Sequence, residues 1–203
     1  MVDVRLKGGL GNQLFQFATS HALSKKLNCE LKVDICFYKV QLFRSLDINQ
    51  VDIQLKILPR SECISLGAPL NFRNKAIRKF GLTSKTFPSN LEEIQPFIYD
   101  SRIELLEGPV YLDGYWQNLN YFEDYNNELR SLLTPGGEFS CAYYDYLDQI
   151  INSESVSLHI RRGDYVNDPH TKSINYVCDS DYYLKAVKFI KERVNNPNFF
   201  YLF

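Results

Sequence analysis

Apolar and polar residues alternate where the chain begins, with Val2, Val4 and Leu6 separated by Asp3 and Arg5, the period of a strand. After Gly8-Gly9-Leu10-Gly11-Asn12-Gln13 the period lengthens. Leu14, Phe15, Phe17, Ala18, Ala22, Leu23 and Leu27 mark an amphipathic helix, and Leu31-Lys32-Val33-Asp34-Ile35 reads as a second strand. Strand, Gly-rich turn, helix and strand form the opening of a Rossmann-like α/β unit. Leu46, Ile48, Val51, Ile53, Leu55 and Ile57 alternate and suggest extended structure, while segments 67–75 and 83–90 carry turn residues and read as loops. Val110–Gln117 has strand character. Asn118 is placed to cap a helix with Tyr121, Phe122, Tyr125, Leu129, Leu132 and Leu133 on its buried side. Thr134-Pro135-Gly136-Gly137 is the clearest break in the pattern, so residues 1–135 are expected to form one domain and 136–203 the start of another. In the latter, a helix over 139–151 leads to the strand Val156-Ser157-Leu158-His159-Ile160. Asp179 or Ser180 caps a helix over 181–194, and Phe199–Phe203 begins an apolar strand. A buried parallel strand normally continues into a loop and a covering helix, so the second domain is expected to be incomplete in this chain.

Two stretches carry candidate chemistry. The His159 strand runs into Arg161-Arg162-Gly163-Asp164-Tyr165. Guanidinium forks make paired bonds to phosphate, and the end of a strand is where an open α/β sheet presents such groups. An ion pair between an arginine and Asp164 that pins the turn is the other reading. In the second stretch, Gly9 and Gly11 let backbone N–H groups approach a ligand at a helix N-terminus, with Asn12 and Gln13 offering amides. The alternative is a tight turn capped by Asn12. Leu14 occupies the third glycine place of G-x-G-x-x-G, which argues against a nicotinamide or flavin site, and no Gly-Lys-Ser/Thr follows. The polar stretch after Tyr165, with Asp168, Pro169, His170 and Lys172, reads either as a loop over the site or as solvated surface. Asp179-Ser180-Asp181 matches a metal-binding D-x-D, although helix capping is the stronger reading.

Composition narrows the class. The chain has 203 residues, 45% hydrophobic and 23% charged, with a net charge of −1, an ordinary globular balance. That charge predicts no nucleic-acid partner, so any phosphate contact must come from a local cluster. Five cysteines, odd in number and without C-x-x-C, fit reduced thiols in a cytoplasmic protein better than a disulfide framework or a zinc site. The N-terminus lacks the apolar core of a signal peptide, and no apolar run is long enough for a transmembrane segment.

Gly8-Gly9-Leu10-Gly11-Asn12-Gln13-Leu14-Phe15-Gln16-Phe17-Ala18 together with His159-Ile160-Arg161-Arg162-Gly163-Asp164-Tyr165 closely resembles the α-1,2-fucosyltransferases of glycosyltransferase family 11. Tyr111-Leu112-Asp113-Gly114-Tyr115-Trp116-Gln117 with Tyr121-Phe122, and Cys178–Ala186, support the resemblance in the same order. It implies a GT-B-like fold of two Rossmann-like domains with parallel sheets, the first on the acceptor side and the second holding the donor. It also implies inverting, metal-independent transfer of L-fucose from GDP-β-L-fucose to the 2-hydroxyl of a galactose-terminated glycan. GDP-fucose would be a substrate and no cofactor would be needed. Peripheral association with the inner face of the membrane is compatible with this reading. By the match, Arg161 and Asn12 are the catalytic residues. Gly9, Gly11, Asn12, Gln13, His159, Arg161, Arg162 and Asp164 bind substrate. The proton acceptor is left open among Asp164, Asp168, His170 and Asp113. Two alternatives stand beside this reading: a non-catalytic fragment retaining phosphate or glycan binding, and a metal-dependent glycosyltransferase using Asp179 and Asp181.

Overall fold

Strand β1 (Val2–Arg5) runs between β2 (Leu31–Asp34) on one side and β4 (Val110–Asp113) on the other, with β3 (Ser89–Glu92) beyond β4. Every neighbouring pair is parallel, with Val4 opposite both Val33 and Leu112. The computed structural model describes residues 1–39, 44–59, 89–160 and 178–202. Within these the chain divides into two compact units, Met1–Gly137 and Glu138–Phe203. The architecture is mixed α/β with parallel strands in both.

Helix α1 (Leu10–Lys26) packs on the sheet of the first unit. Val2, Val4 and Leu6 are fully buried and join Phe17, Ala18, Leu23, Val33, Ile48, Leu112 and Trp116 in one core. The alternation along β1 does not mark a wet face: Asp3 and Arg5 are buried as well, because a parallel strand inside a sheet is covered on both sides. The buried side of α1 is likewise more polar than its apolar stripe suggested. Gln13, Gln16, Thr19 and Ser20 are fully buried, whereas Leu14 and Phe15 are only half-buried. Each of the four makes a hydrogen bond: the Ser20 hydroxyl donates back to Gln16 O at 2.8 Å, and the glutamine amides reach loops at the sheet edge.

Three expectations change here. The alternating residues 46–57 form no regular strand; Asp47–Gln50 is a 3-10 turn. The rest makes only isolated bridges, from Val51 to Pro135 and from Ile57 to Val33. The segment 83–90 contains the start of a strand at Ser89, where a sequence with little strand character is held by its register, Leu91 against Leu112. The helix after Asn118 is broken: Asn118 caps a 3-10 turn Leu119–Tyr121, a second covers Glu123–Tyr125, and α2 is confined to Asn126–Leu132. The expected loop at 67–75 and residues 83–88 lie outside the described residues.

The second unit contains α3 (Cys141–Ile151), β5 (Ser155–His159), α4 (Ser180–Lys191) and β6 (Asn198–Leu202). Strands β5 and β6 pair in parallel, with Ser157 opposite Phe200. Ser140 caps α3, and Asp179 caps α4 by accepting from Tyr182 N at 2.8 Å. Helix α4 ends at Lys191, short of the expected 194, and Asn196 turns the chain at φ +50° into β6. No helix among the described residues is long and apolar enough to cross a membrane.

The corner after β4 is the most constrained point of the first unit. Trp116 is fully buried at φ +56°. The Glu93 carboxylate holds it there, accepting from Tyr115 N at 2.6 Å and Trp116 N at 3.0 Å. Replacing a buried large aromatic by alanine costs about 3–5 kcal/mol, so Trp116→Ala is expected to lose that much stability in urea unfolding. Glu93→Ala leaves two N–H donors without their acceptor and is expected to lose about 1–3 kcal/mol.

Candidate functional site

In the order β2-β1-β4-β3 the chain leaves β1 toward β2 and later returns to the other side of β1. The loops that follow β1 and β4 therefore flank the point where the winding reverses, the ligand crevice of open α/β sheets. Here the two loops are tied together. Lys7 N donates to Gln16 Oε1 at 2.9 Å, and Gln16 Nε2 donates to Lys7 O at 3.3 Å and to Gly114 O at 3.1 Å. Further out, Gln117 Nε2 donates to Asn12 Oδ1 at 2.9 Å.

Gly8 makes the turn possible. Its φ is +81°, and a Cβ there would lie 2.3 Å from Asn12 Nδ2. Its carbonyl accepts from the Tyr38 hydroxyl at 2.9 Å and from Gln13 Nε2 at 3.1 Å. Gly9 is the N-cap of α1 and supplies no side-chain cap; no acidic residue occupies the first turn. The positive end of the helix dipole thus faces the crevice without a carboxylate from its own first turn, the arrangement that suits an anion. A Cβ on Gly11 would meet nothing within 4 Å, and the Arg44 guanidinium reaches to 4.0 Å from the Cβ position of Gly9. No local pattern singles out Arg44, because only the fold brings it to the turn.

The two amides separate in role. Asn12 does not cap the helix; it is half-exposed and linked to Gln117. Gln13, expected to offer an amide to a ligand, is fully buried. Its Nε2 donates to Gly8 O and to Ser45 O (3.0 Å), and its Oε1 accepts from Ile48 N at 2.8 Å. Gln13 is therefore a strut that holds the turn, with its amide already engaged inside the fold.

Beneath the turn lies a charged cluster spanning three strands. The Arg5 guanidinium donates to Asp113 and approaches Asp34 Oδ2 at 4.0 Å. Asp34 also accepts from the Tyr111 hydroxyl and from Cys36 N, each at 2.7 Å. Lys7 Nζ lies 2.8 Å from Asp113 Oδ1 and 4.9 Å from the Tyr115 ring centroid. Burial works to lower the Arg5 pKa, but Tyr111, Asp113 and Asp34 outweigh it and hold the guanidinium above its ordinary value. Asp113 was one candidate proton acceptor. Both its oxygens are engaged by the Arg5 guanidinium and the Lys7 ammonium, so neither is left open toward an acceptor hydroxyl.

In the second unit His159 ends β5 and is exposed, with its carbonyl accepting from the Tyr183 hydroxyl at 3.2 Å. Arg161, Arg162 and Asp164 lie outside the described residues, as do Asp168 and His170. The D-x-D reading loses ground on geometry: Asp179 caps α4, and Asp181 pairs with Lys185 at 2.6 Å.

Two stability effects follow. A non-glycine residue held at positive φ costs about 1–3 kcal/mol, so Gly8→Ala is expected to lose at least that in thermal unfolding, since its Cβ also displaces Asn12. Gly11→Ala lies in open space within a helix and is expected to leave stability unchanged or raise it by about 0.5–1 kcal/mol. Burial, followed by Asp47 at Tyr38 and Asp34 at Tyr111, raises both phenols well above their ordinary value. The unfolded chain gives up these protons near pH ~10 and the folded chain only above that. Their contribution is thus intact below pH ~10 and lost as pH rises further, and the denaturation midpoint is expected to fall from there upward, less steeply in Tyr111→Phe.

Residues 1–202 match the description of glycosyl transferase family 11. An α-1,2-colitosyltransferase of Escherichia coli is 36% identical over 206 residues, covering 98% of this chain and 67% of that protein. The O-antigen biosynthesis glycosyltransferase WbnK, also of Escherichia coli, is 27% identical over 205 residues, covering 92% of this chain and 67% of the relative. With a match running through the parallel-sheet unit, its glycine turn and the α3–β6 unit alike, the chain belongs to glycosyl transferase family 11.

Proposed function

We propose that this glycosyltransferase moves a deoxyhexose from a guanosine-diphosphate donor to a sugar hydroxyl, forming an α-1,2 linkage with inversion and without a metal. L-fucose on a galactose 2-hydroxyl is the leading case. The name of the colitosyltransferase relative makes colitose the competing donor sugar, and the two differ in the hydroxyl at C3. The observation that carries the reading is the turn at Gly8–Asn12: a helix N-terminus without an acidic first turn, at the winding reversal of a parallel sheet, with a half-exposed amide beside it. Such a place favours a group on which negative charge grows.

In this reading the two units are the Rossmann-like halves of a GT-B enzyme, residues 1–135 serving the acceptor and the chain from 136 onward the donor. Arg161 grips the diphosphate as a fork, and His159 and Arg162 support it. Gly9, Gly11 and Asn12 approach the donor from the first unit. The acceptor hydroxyl oxygen attacks the anomeric carbon. The bond from that carbon to the phosphate oxygen breaks, and its electron pair leaves with the nucleoside diphosphate. The hydroxyl proton passes to a base, for which Asp164, Asp168 and His170 remain the candidates. The transition state needs donors aimed at the leaving oxygens, and loss of one such donor costs about 3–4 kcal/mol in the barrier. The enzyme is expected to work in the cytoplasm.

The test is turnover of GDP-fucose and GDP-colitose against a panel of galactosides, with the linkage read by NMR. Formation of a 2-linked deoxyhexose with either donor supports the reading; turnover that EDTA abolishes and Mn²⁺ restores would overturn its metal independence. Arg161→Lys keeps the charge but loses the paired geometry, and turnover is expected to fall at least tenfold with an unchanged circular dichroism spectrum.

A further inference from the structure

The crevice holds an amide pair whose arrangement has a direction. We infer that Gln117 is a positioning residue that fixes the Asn12 side chain so that its Nδ2–H, rather than its carbonyl oxygen, is available to the phosphate of the donor. The inference rests on the reading above, in which Asn12 approaches the donor.

Asn12 Oδ1 accepts from Gln117 Nε2 at 2.9 Å. A primary amide has a donor end and an acceptor end, so engaging the oxygen leaves the nitrogen to face elsewhere. That nitrogen lies against Gly8, where a Cβ would come within 2.3 Å of it. Glycine at this position therefore serves the amide as well as the backbone turn. The Gly8 carbonyl is pinned by Tyr38 and Gln13, so the surface on which Asn12 rests cannot move away. Gln117 is itself placed by the corner after β4, where Gly114 takes the Gln16 amide and Glu93 holds the backbone of Tyr115 and Trp116. Asn118 N donates to Trp116 O at 2.9 Å and closes the turn around Gln117. The bond from Gln117 to Asn12 thus crosses the crevice between the β4 loop and the β1 loop. An amide free to rotate by half a turn would offer an anion its oxygen in one of two orientations; the bond from Gln117 removes the unproductive one.

The first measurement needs no activity. In ¹⁵N-labelled protein the Asn12 side-chain amide is expected to be as ordered as the backbone of α1, with a nuclear Overhauser contact to the Gln117 amide protons. Gln117→Ala is expected to abolish that contact and lower the Asn12 order parameter while the backbone spectrum of α1 is retained. An Asn12 amide equally ordered in Gln117→Ala overturns the inference whatever the enzyme transfers. The second measurement is a double-mutant cycle in kcat/KM with the donor that the wild type uses. Gln117→Ala is expected to lower kcat/KM about tenfold alone and to have no further effect in an Asn12→Ala background. Independent, multiplying effects would show that Gln117 acts other than through Asn12. A wild type without turnover on any GDP-sugar would count against the proposed function and leave the order-parameter result to decide this point.

Discussion

The sheet of the first unit is held at its carboxyl edge by one cation placed between two anions. Arg5 of β1 reaches Asp113 of β4 and lies near Asp34 of β2, while Tyr111 and Cys36 N complete the ligation of Asp34. A buried guanidinium is tolerated only when opposite charge compensates it. Meeting that demand fixes three strands relative to one another. Above this base, the Gly8 turn has a defined floor, and Lys7 leaves β1 with its ammonium already directed at Asp113. The crevice is therefore shaped by polar interactions beneath it as much as by the apolar core behind it.

Much of this was legible in the residues because the relevant signals are local. The change of period at Gly8 separates β1 from α1. Asp179 before an amphipathic run marked a capped helix. What was not legible depends on distant partners. Ser89–Glu92 carries a single strongly apolar residue, Leu91, and becomes a strand only by pairing with β4. The alternation of residues 46–57 was real, yet Ile48 and Val51 enter the core through a 3-10 turn and an isolated bridge, while Ile57 stays exposed. The burial of Asp3 and Arg5 was not legible either, because sequence shows charge but not the second layer that covers it.

The candidate site divides in the same way. The glycines announce a tight turn, and Gly8 has the positive φ that such a turn demands. Asn12 and Gln13, adjacent and chemically alike, could not be ranked without burial: one is half-exposed, while the other is enclosed and engaged through both ends of its amide. Arg44, Tyr38 and Gln117 reach the turn from positions about 30 to 105 residues away, as the sequence separations of their contacts show, and no local motif could have named them together.

The enclosed Gln13 has one further consequence. Its oxygen holds the Ile48 amide hydrogen, while its nitrogen holds the carbonyl of Gly8. Solvent exchange at that single amide therefore monitors the integrity of the whole turn, since the proton is released only when the glutamine lets go. A spectroscopist could thus follow any loosening of the glycine turn from a residue that lies outside it.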